Sequence, residues 1–235
     1  GTAQLRGTIT ILNERGEPQI IDLDKQGLTA ELVDGKVVVK GLNLDVLSHL
    51  FGFDVAARGV LLSELTINLA TGDFTAGVSV PDATIVRPGV TSTDDAFVVG
   101  KDITVTLTGN LKNGISTTTM KGTAQSGHLF TLPGALGTAS QSVDIVPGAE
   151  FEIRRELTRG VSAYRVTAKK GTTVISDVSY RDDDGTRTVT VHQMDYTTVD
   201  ARGQPLHAVV DVNTPLVMAY NSATGRIVSA SGSVR

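Results

Sequence analysis

Apolar residues fall at every second position through most of this chain, the period-2 signature of strands with one buried face. The pattern is clearest from Leu216 to Val234. Leu216, Met218 and Tyr220 alternate up to a turn at Gly225, and Ile227 resumes the alternation beyond it. Three more stretches show the same phase when anchored on the turn glycines Gly35, Gly72 and Gly185. Seven residues before the four anchors stand Leu28, Leu65, Val178 and Met218, and five before stand Ala30, Ile67, Tyr180 and Tyr220. Two after stand Val37, Phe74, Arg187 and Ile227, and four after stand Val39, Ala76, Val189 and Ser229. Even spacing keeps each arm's set on one face. INLATGDF at 67–74 also matches YNSATGRI at 220–227, and NERGEP at 13–18 is echoed by DARGQP at 200–205. A repeated unit that cannot bury its face alone implies stacking into one elongated body.

The first strand is expected over 4–12 and the turn after it ends at Pro18. Strands follow near 19–24, 28–33 and 36–42. Residues 43–52 break the alternation. Leu47, Leu50 and Phe51 are spaced for one helical face, with Asn43 or Asp45 as the cap. This predicts one short helix near 43–52 that closes an end of the β body or covers an edge strand. Strands resume at 53–58, 61–69 and 73–80. Pro81, Pro88 and Gly89 predict a surface loop over 81–95. Asn113-Gly114 predicts a two-residue type I′ hairpin. Further strands run to 206–212, some fifteen to eighteen in all, roughly one per 12 to 15 residues. The fold class is all-β, an elongated antiparallel folded sheet of repeated hairpins, read as a single domain over 1–235.

Composition narrows the function. Aromatic residues are 4% of the chain and tryptophan is absent, which leaves little for stacking on single-stranded nucleic acid or sugar. A net charge of −4 without a basic block argues against a nucleic-acid partner. Cysteine is absent, so disulfides, thiolate metal sites and cysteine nucleophiles are excluded together. No apolar run reaches the roughly 18 residues of a membrane span. The start Gly1-Thr2 suggests a processed or trimmed chain, which leaves secretion by way of a removed signal or anchor open.

No catalytic constellation stands out. His49, His128, His192 and His207 are far apart and make no HxH or HExxH spacing. Gly77-Val78-Ser79-Val80-Pro81 fails the nucleophile-elbow pattern at its last place. Asp182, Asp183 and Asp184 read as an acidic, solvated turn rather than a calcium loop. Glu150, Glu152 and Glu156 sit among Arg154, Arg155 and Arg159, which reads as an ion-paired strand surface. No cofactor and no metal is expected. Arg187 takes a place that is apolar in the other three hairpins, a candidate contact for a phosphate or carboxylate headgroup.

The unit MAYNSATGRIVSASGSV, with Ala219, Tyr220, Gly225 and the closing Gly232-Ser233-Val234, resembles the repeat of the organic-solvent-tolerance, or lipopolysaccharide-transport, OstA-like β-jellyroll family. Tyr180 and Gly185 carry the likeness in one further copy, and Gly72 with Gly77-Val78 in another. The chain departs from that family in its 43–52 helix, its 81–95 loop, and Ser233 where Asn is usual. The resemblance implies a folded-over β-taco sheet with an apolar interior that shields acyl chains. It also implies work in the periplasm or cell envelope, with sheet edges pairing end to end.

The first functional expectation is therefore non-enzymatic binding or transport of an acyl lipid, lipopolysaccharide-like or other. Leu65, Ile67, Phe74, Val178, Tyr180, Val189, Met218, Tyr220 and Ile227 would line the trough, with Arg187 at the headgroup. The same residues also read as a plain packed core between two sheets. The alternative is a structural or adhesive cell-surface module. It would assemble through its edge strands, 4–12 and 226–234, with further copies or an envelope partner.

Overall fold

The computed structural model describes residues 2–12, 18–42, 54–58, 63–86, 97–132, 141–158, 161–199 and 203–235. Among these residues the protein is all-β, with eighteen strands and no helix. The N-terminal strands are β1 (Thr2–Leu5), β2 (Thr8–Leu12), β3 (Pro18–Asp22), β4 (Thr29–Val33), β5 (Lys36–Leu42) and β6 (Asp54–Arg58). The central strands are β7 (Ser63–Asn68), β8 (Asp73–Val86), β9 (Phe97–Asn110), β10 (Ile115–Leu132), β11 (Gln141–Asp144) and β12 (Glu150–Thr158). The last six are β13 (Val161–Lys170), β14 (Thr173–Asp183), β15 (Thr186–Val199), β16 (Pro205–Val210), β17 (Leu216–Asn221) and β18 (Ile227–Ser231). The helix expected over 43–52 lies outside the described residues.

Sixteen strands form one antiparallel sheet, and β2 and β3 pair separately. The order is β1-β4-β5-β7-β8-β9-β10-β12-β13-β14-β15-β17-β18. The other three strands attach where a long strand serves two partners. β8 pairs with β7 over 74–77 and with β6 over 82–86. β10 pairs with β12 over 115–123 and with β11 over 128–132. β15 pairs with β17 over 186–191 and with β16 over 194–199. The N-terminus repeats this plan with the long strand divided: β1 pairs with β4, and β2 with β3. The single strand expected over 4–12 is thus two strands, separated at Gly7, whose φ is 103°.

β8, β9 and β10 are irregular along one line, the kind of place where a strand bends. Val80 pairs with Ile103 and Asp82 with Lys101, so Pro81 stands opposite Asp102 outside the register. Asp102 has φ 53°, and the β9–β10 register shifts between Lys121 and Thr123. A proline has no N–H for the ladder, and the skipped pair is where the strand tolerates one. The loop expected from Pro81 is therefore strand as far as Val86, because the irregularity absorbs the proline. Residues 87–96 lie outside the described residues.

All four glycine-anchored hairpins are present, but their turns are of two kinds. Asp34-Gly35 and Asp184-Gly185 are two-residue turns with φ of 46° and 76°, and 37° and 77°. Positive φ at both central positions is the type I′ geometry. The Gly72 and Gly225 turns are built on asparagine. Asn68 Oδ1 accepts from the N–H of Ala70 and Thr71, and Asn221 Oδ1 from the N–H of Ala223 and Thr224. Asn110 does the same for Lys112 and Asn113, so the loop at Asn113-Gly114 has four residues instead of two. An asparagine that bonds the backbone two and three residues on imposes its own turn and overrides the dipeptide signal.

One face of the sheet is buried and mostly apolar, with Thr118 and Arg155 as its polar members in the central row. Ala30, Val39, Leu65, Ala76, Leu107, Thr118, Arg155, Tyr164, Tyr180, Val189 and Met218 are successive cross-strand partners on eleven strands. None is more than 8% exposed. They form an unbroken row across the inner face.

Candidate functional site

The inner face is where the sequence-expected lining residues come together. Leu65, Tyr180, Val189 and Met218 belong to the eleven-strand row. Val178 lies in the next row on one side, paired with Val166 and Val191. Ile67, Phe74, Arg187, Tyr220 and Ile227 lie toward the hairpin tips on the other, where Ile67 pairs with Phe74 and Arg187 and Ile227 both pair with Tyr220. Leu65, Ile67, Phe74, Val178, Tyr180, Val189 and Met218 are buried in one core cluster, with Tyr220 packed against it.

Two of the expected residues depart from the pattern. Ile227 is 38% exposed, and every residue of β18 is exposed. β18 is the edge strand, and a register shift between Ala219 and Tyr220 places Ser229 opposite Ala219 and Ala230 opposite Met218. That bulge turns the fourth hairpin's second arm over by one residue, and nothing among the described residues covers it. Arg187 is half-buried near the rim, with Nε 3.2 Å from Asp182 Oδ1. A carboxylate already meets the guanidinium expected to hold a headgroup.

Among the described residues the interior is covered. Tyr180 donates its hydroxyl to the Leu129 carbonyl at 2.6 Å, Tyr220 to the Thr131 carbonyl at 3.3 Å and Tyr196 to the Ser142 carbonyl at 3.3 Å. Three strands of the C-terminal wall thus reach across to the end of β10 and to β11. Leu129, Phe130, Val143 and Ile145 pack into the same core. This segment, beyond the bend line, lies as a flap against the lining residues. Burial pushes the Tyr220 phenol up to about 12.

Arg155 is the residue that sequence reading misplaced. On β12 it follows Phe151 and Ile153 in alternation, points inward, and is 2% exposed. Its guanidinium carbon lies 5.6 Å from the centre of the Tyr164 ring. Burial pulls its pKa below the ordinary arginine value, with Tyr164 opposing. Thr118, its partner on β10, is also 2% exposed. The signal was parity: Phe151, Ile153, Arg155 and Leu157 share one face, whereas charge alone reads as surface. The outer face of β12 does carry the ion pairs expected there, Arg154 with Glu156 and Lys121 with Glu152.

Two polar features lie outside the row. His128 is buried, with Nδ1 2.7 Å from Ser142 Oγ and 3.1 Å from Asp144 Oδ1. Ser142 Oγ donates to the same carboxylate oxygen at 2.6 Å. A serine activated by a histidine uses the ring nitrogen opposite the carboxylate. Here both groups meet Nδ1, so the arrangement holds β10 to β11 rather than activating the hydroxyl. At the bend line, Asp102, Lys121, Glu150, Glu152 and Lys169 edge a groove of about 470 Å³ with mixed charge. Among the described residues no three His, Cys, Asp or Glu side chains gather as a metal site.

No protein-family model, curated protein or solved structure matches this chain.

Proposed function

We propose that this protein binds an acyl lipid along the inner face of its folded sheet, in the periplasm or cell envelope, without catalysing a reaction. The observation that carries this reading is the eleven-strand row. At the usual strand spacing it runs roughly 48 Å, longer than one acyl chain needs. Its residues are almost all aliphatic or aromatic, and burial of an acyl chain yields about 0.8 kcal/mol per methylene before ordering costs. The row ends at β18, where Ala230 continues it on an uncovered strand. Because the flap occupies the space above Tyr180 and Tyr220, entry requires β11 and the end of β10 to move away. Native mass spectrometry of freshly purified protein, followed by organic extraction, tests the reading. A retained acyl lipid is the expected result. A clean mass, with no uptake of added phospholipid or lipopolysaccharide, would sink it.

A second reading rests on the edges. Neither β1 (TAQL) nor β18 (IVSAS) carries the lysine, proline or inward charge that usually blunts an edge strand. Val228 on β18 is 67% exposed. On this reading the packed interior is only a core, and the protein is a structural or adhesive module that assembles by strand addition. Sedimentation velocity separates the two. Concentration-dependent multimers that Val228→Lys disperses support it, and a monomer at all concentrations rejects it.

A further inference from the structure

Within the acyl-lipid reading, the class of lipid follows from the one arginine or lysine buried on the inner face among the described residues. We propose that Thr118, Arg155 and Tyr164 form a carboxylate site, and that the ligand is a long-chain fatty acid whose acid group is held at the middle of the row. This inference rests on the acyl-lipid reading above.

Three observations converge. The residues occupy adjacent register positions on β10, β12 and β13, so their side chains stand side by side on one face. Each is more than nine-tenths buried. Their neighbours on the same strands, Met120, Ile153 and Val166, are apolar and buried. The chemistry then selects the ligand. A guanidinium offers five N–H donors in a planar fork that fits a carboxylate through two parallel bonds. The Tyr164 ring fixes the plane of that fork, and the Thr118 hydroxyl supplies a further donor. Arg155 is the one lysine or arginine buried among the described residues. A single cation suits a monoanion. A phosphate or diphosphate headgroup of higher charge calls for several. In this pose the chain of the acid runs from Arg155 over Leu107 and Ala76, or over Tyr180 and Val189.

The fork has donors enough to keep its present contacts and accept a carboxylate as well. The site needs the position and burial of Arg155, not an unused guanidinium.

The test compares palmitate with methyl palmitate on the full chain, using carboxyl-labelled palmitate and carbon NMR. Palmitate is expected to bind about tenfold tighter or more than its ester, the usual range for a charge-assisted contact. Its bound carboxyl resonance should stay fixed through the ordinary carboxylic titration range. Arg155→Met should abolish the preference for the acid and leave ester binding unchanged, with Arg155→Lys in between. Thr118→Val, which keeps the shape, should weaken palmitate alone and guards against an Arg155 variant that fails to fold. Equal binding of acid and ester, or a preference that survives Arg155→Met, overturns the carboxylate site while the acyl-lipid reading stands. Failure of both ligands to bind overturns both.

Discussion

Tyr180 and Leu129 are 51 residues apart in sequence, and the Tyr180 hydroxyl donates to the Leu129 carbonyl at 2.6 Å. Both residues are buried, so the bond has no water to replace it. Tyr180→Phe keeps the ring and removes the donor. The buried carbonyl then loses a partner, at about 1–3 kcal/mol. Urea unfolding should show that loss. Tyr196→Phe, at a more exposed bond of 3.3 Å, should change stability by less than half as much. Equal effects would mean that the hydroxyls do not hold the flap.

Gly100 and Phe151 are a second such pair. A Cβ on Gly100 would stand 2.5 Å from Phe151 Cε1 and 2.8 Å from Cζ, so the ring lies directly on the glycine. Gly100→Ala should destabilise by about 1–3 kcal/mol, the range for overpacking. The obstruction is side-chain atoms rather than backbone, so Phe151→Leu should relieve it in part. A double-mutant cycle should return a coupling of about 0.5 kcal/mol or more. Strict additivity would show that the ring gives way freely.

The three asparagine turns predict a ranking. The Asn221 side chain bonds within its own turn, through Ala223 and Thr224. Asn110 also donates its Nδ2 to the Thr71 carbonyl and to Asp73 Oδ1, tying the β9–β10 turn to the β7–β8 turn. Loss of an exposed turn bond costs about 0.5–1.5 kcal/mol. Asn110→Ala should therefore lower the unfolding midpoint more than Asn221→Ala. The reverse order would contradict the bridging role.

Tyr220 gives the pH dependence. Its phenol is raised to about 12 by burial, against about 10 in an unfolded chain. Below pH 10 the group is protonated in both states and its contribution is fully present. Between about pH 10 and 12 the unfolded chain ionises first, so stability falls as pH rises and the contribution is lost above the folded value. Ultraviolet titration should show a late phenol signal that is lost in Tyr220→Phe.

The faces of the hairpins were legible because alternation records burial directly: Leu65 and Ile67, or Val178 and Tyr180, are two apart and both inside. Three things were hidden. Arg155 carries a charge, and charge outweighed the parity it shares with Phe151. Nothing in Ile227–Ser231 marks the bulge that turns Ser229 to the other face, since a register shift belongs to a pair of strands and not to one. Pro81 read as a break because its missing N–H is visible in sequence, whereas the irregularity at Asp102 that accommodates it lies 21 residues away. The candidate carboxylate site was hidden for the first of these reasons.

Strand order in this sheet follows chain order almost everywhere, and the exceptions are the short strands beside β8, β10 and β15 and the separate pair β2–β3 between β1 and β4. Within the ladder each hairpin therefore pairs almost only with what comes before and after it. Inserting or deleting one leaves its neighbours' register untouched and requires no rethreading. Two strands add roughly 9–10 Å of width. The inner face thereby becomes a ruler graduated in hairpins, and duplication of a segment of about twenty codons would be enough to move its end by one division.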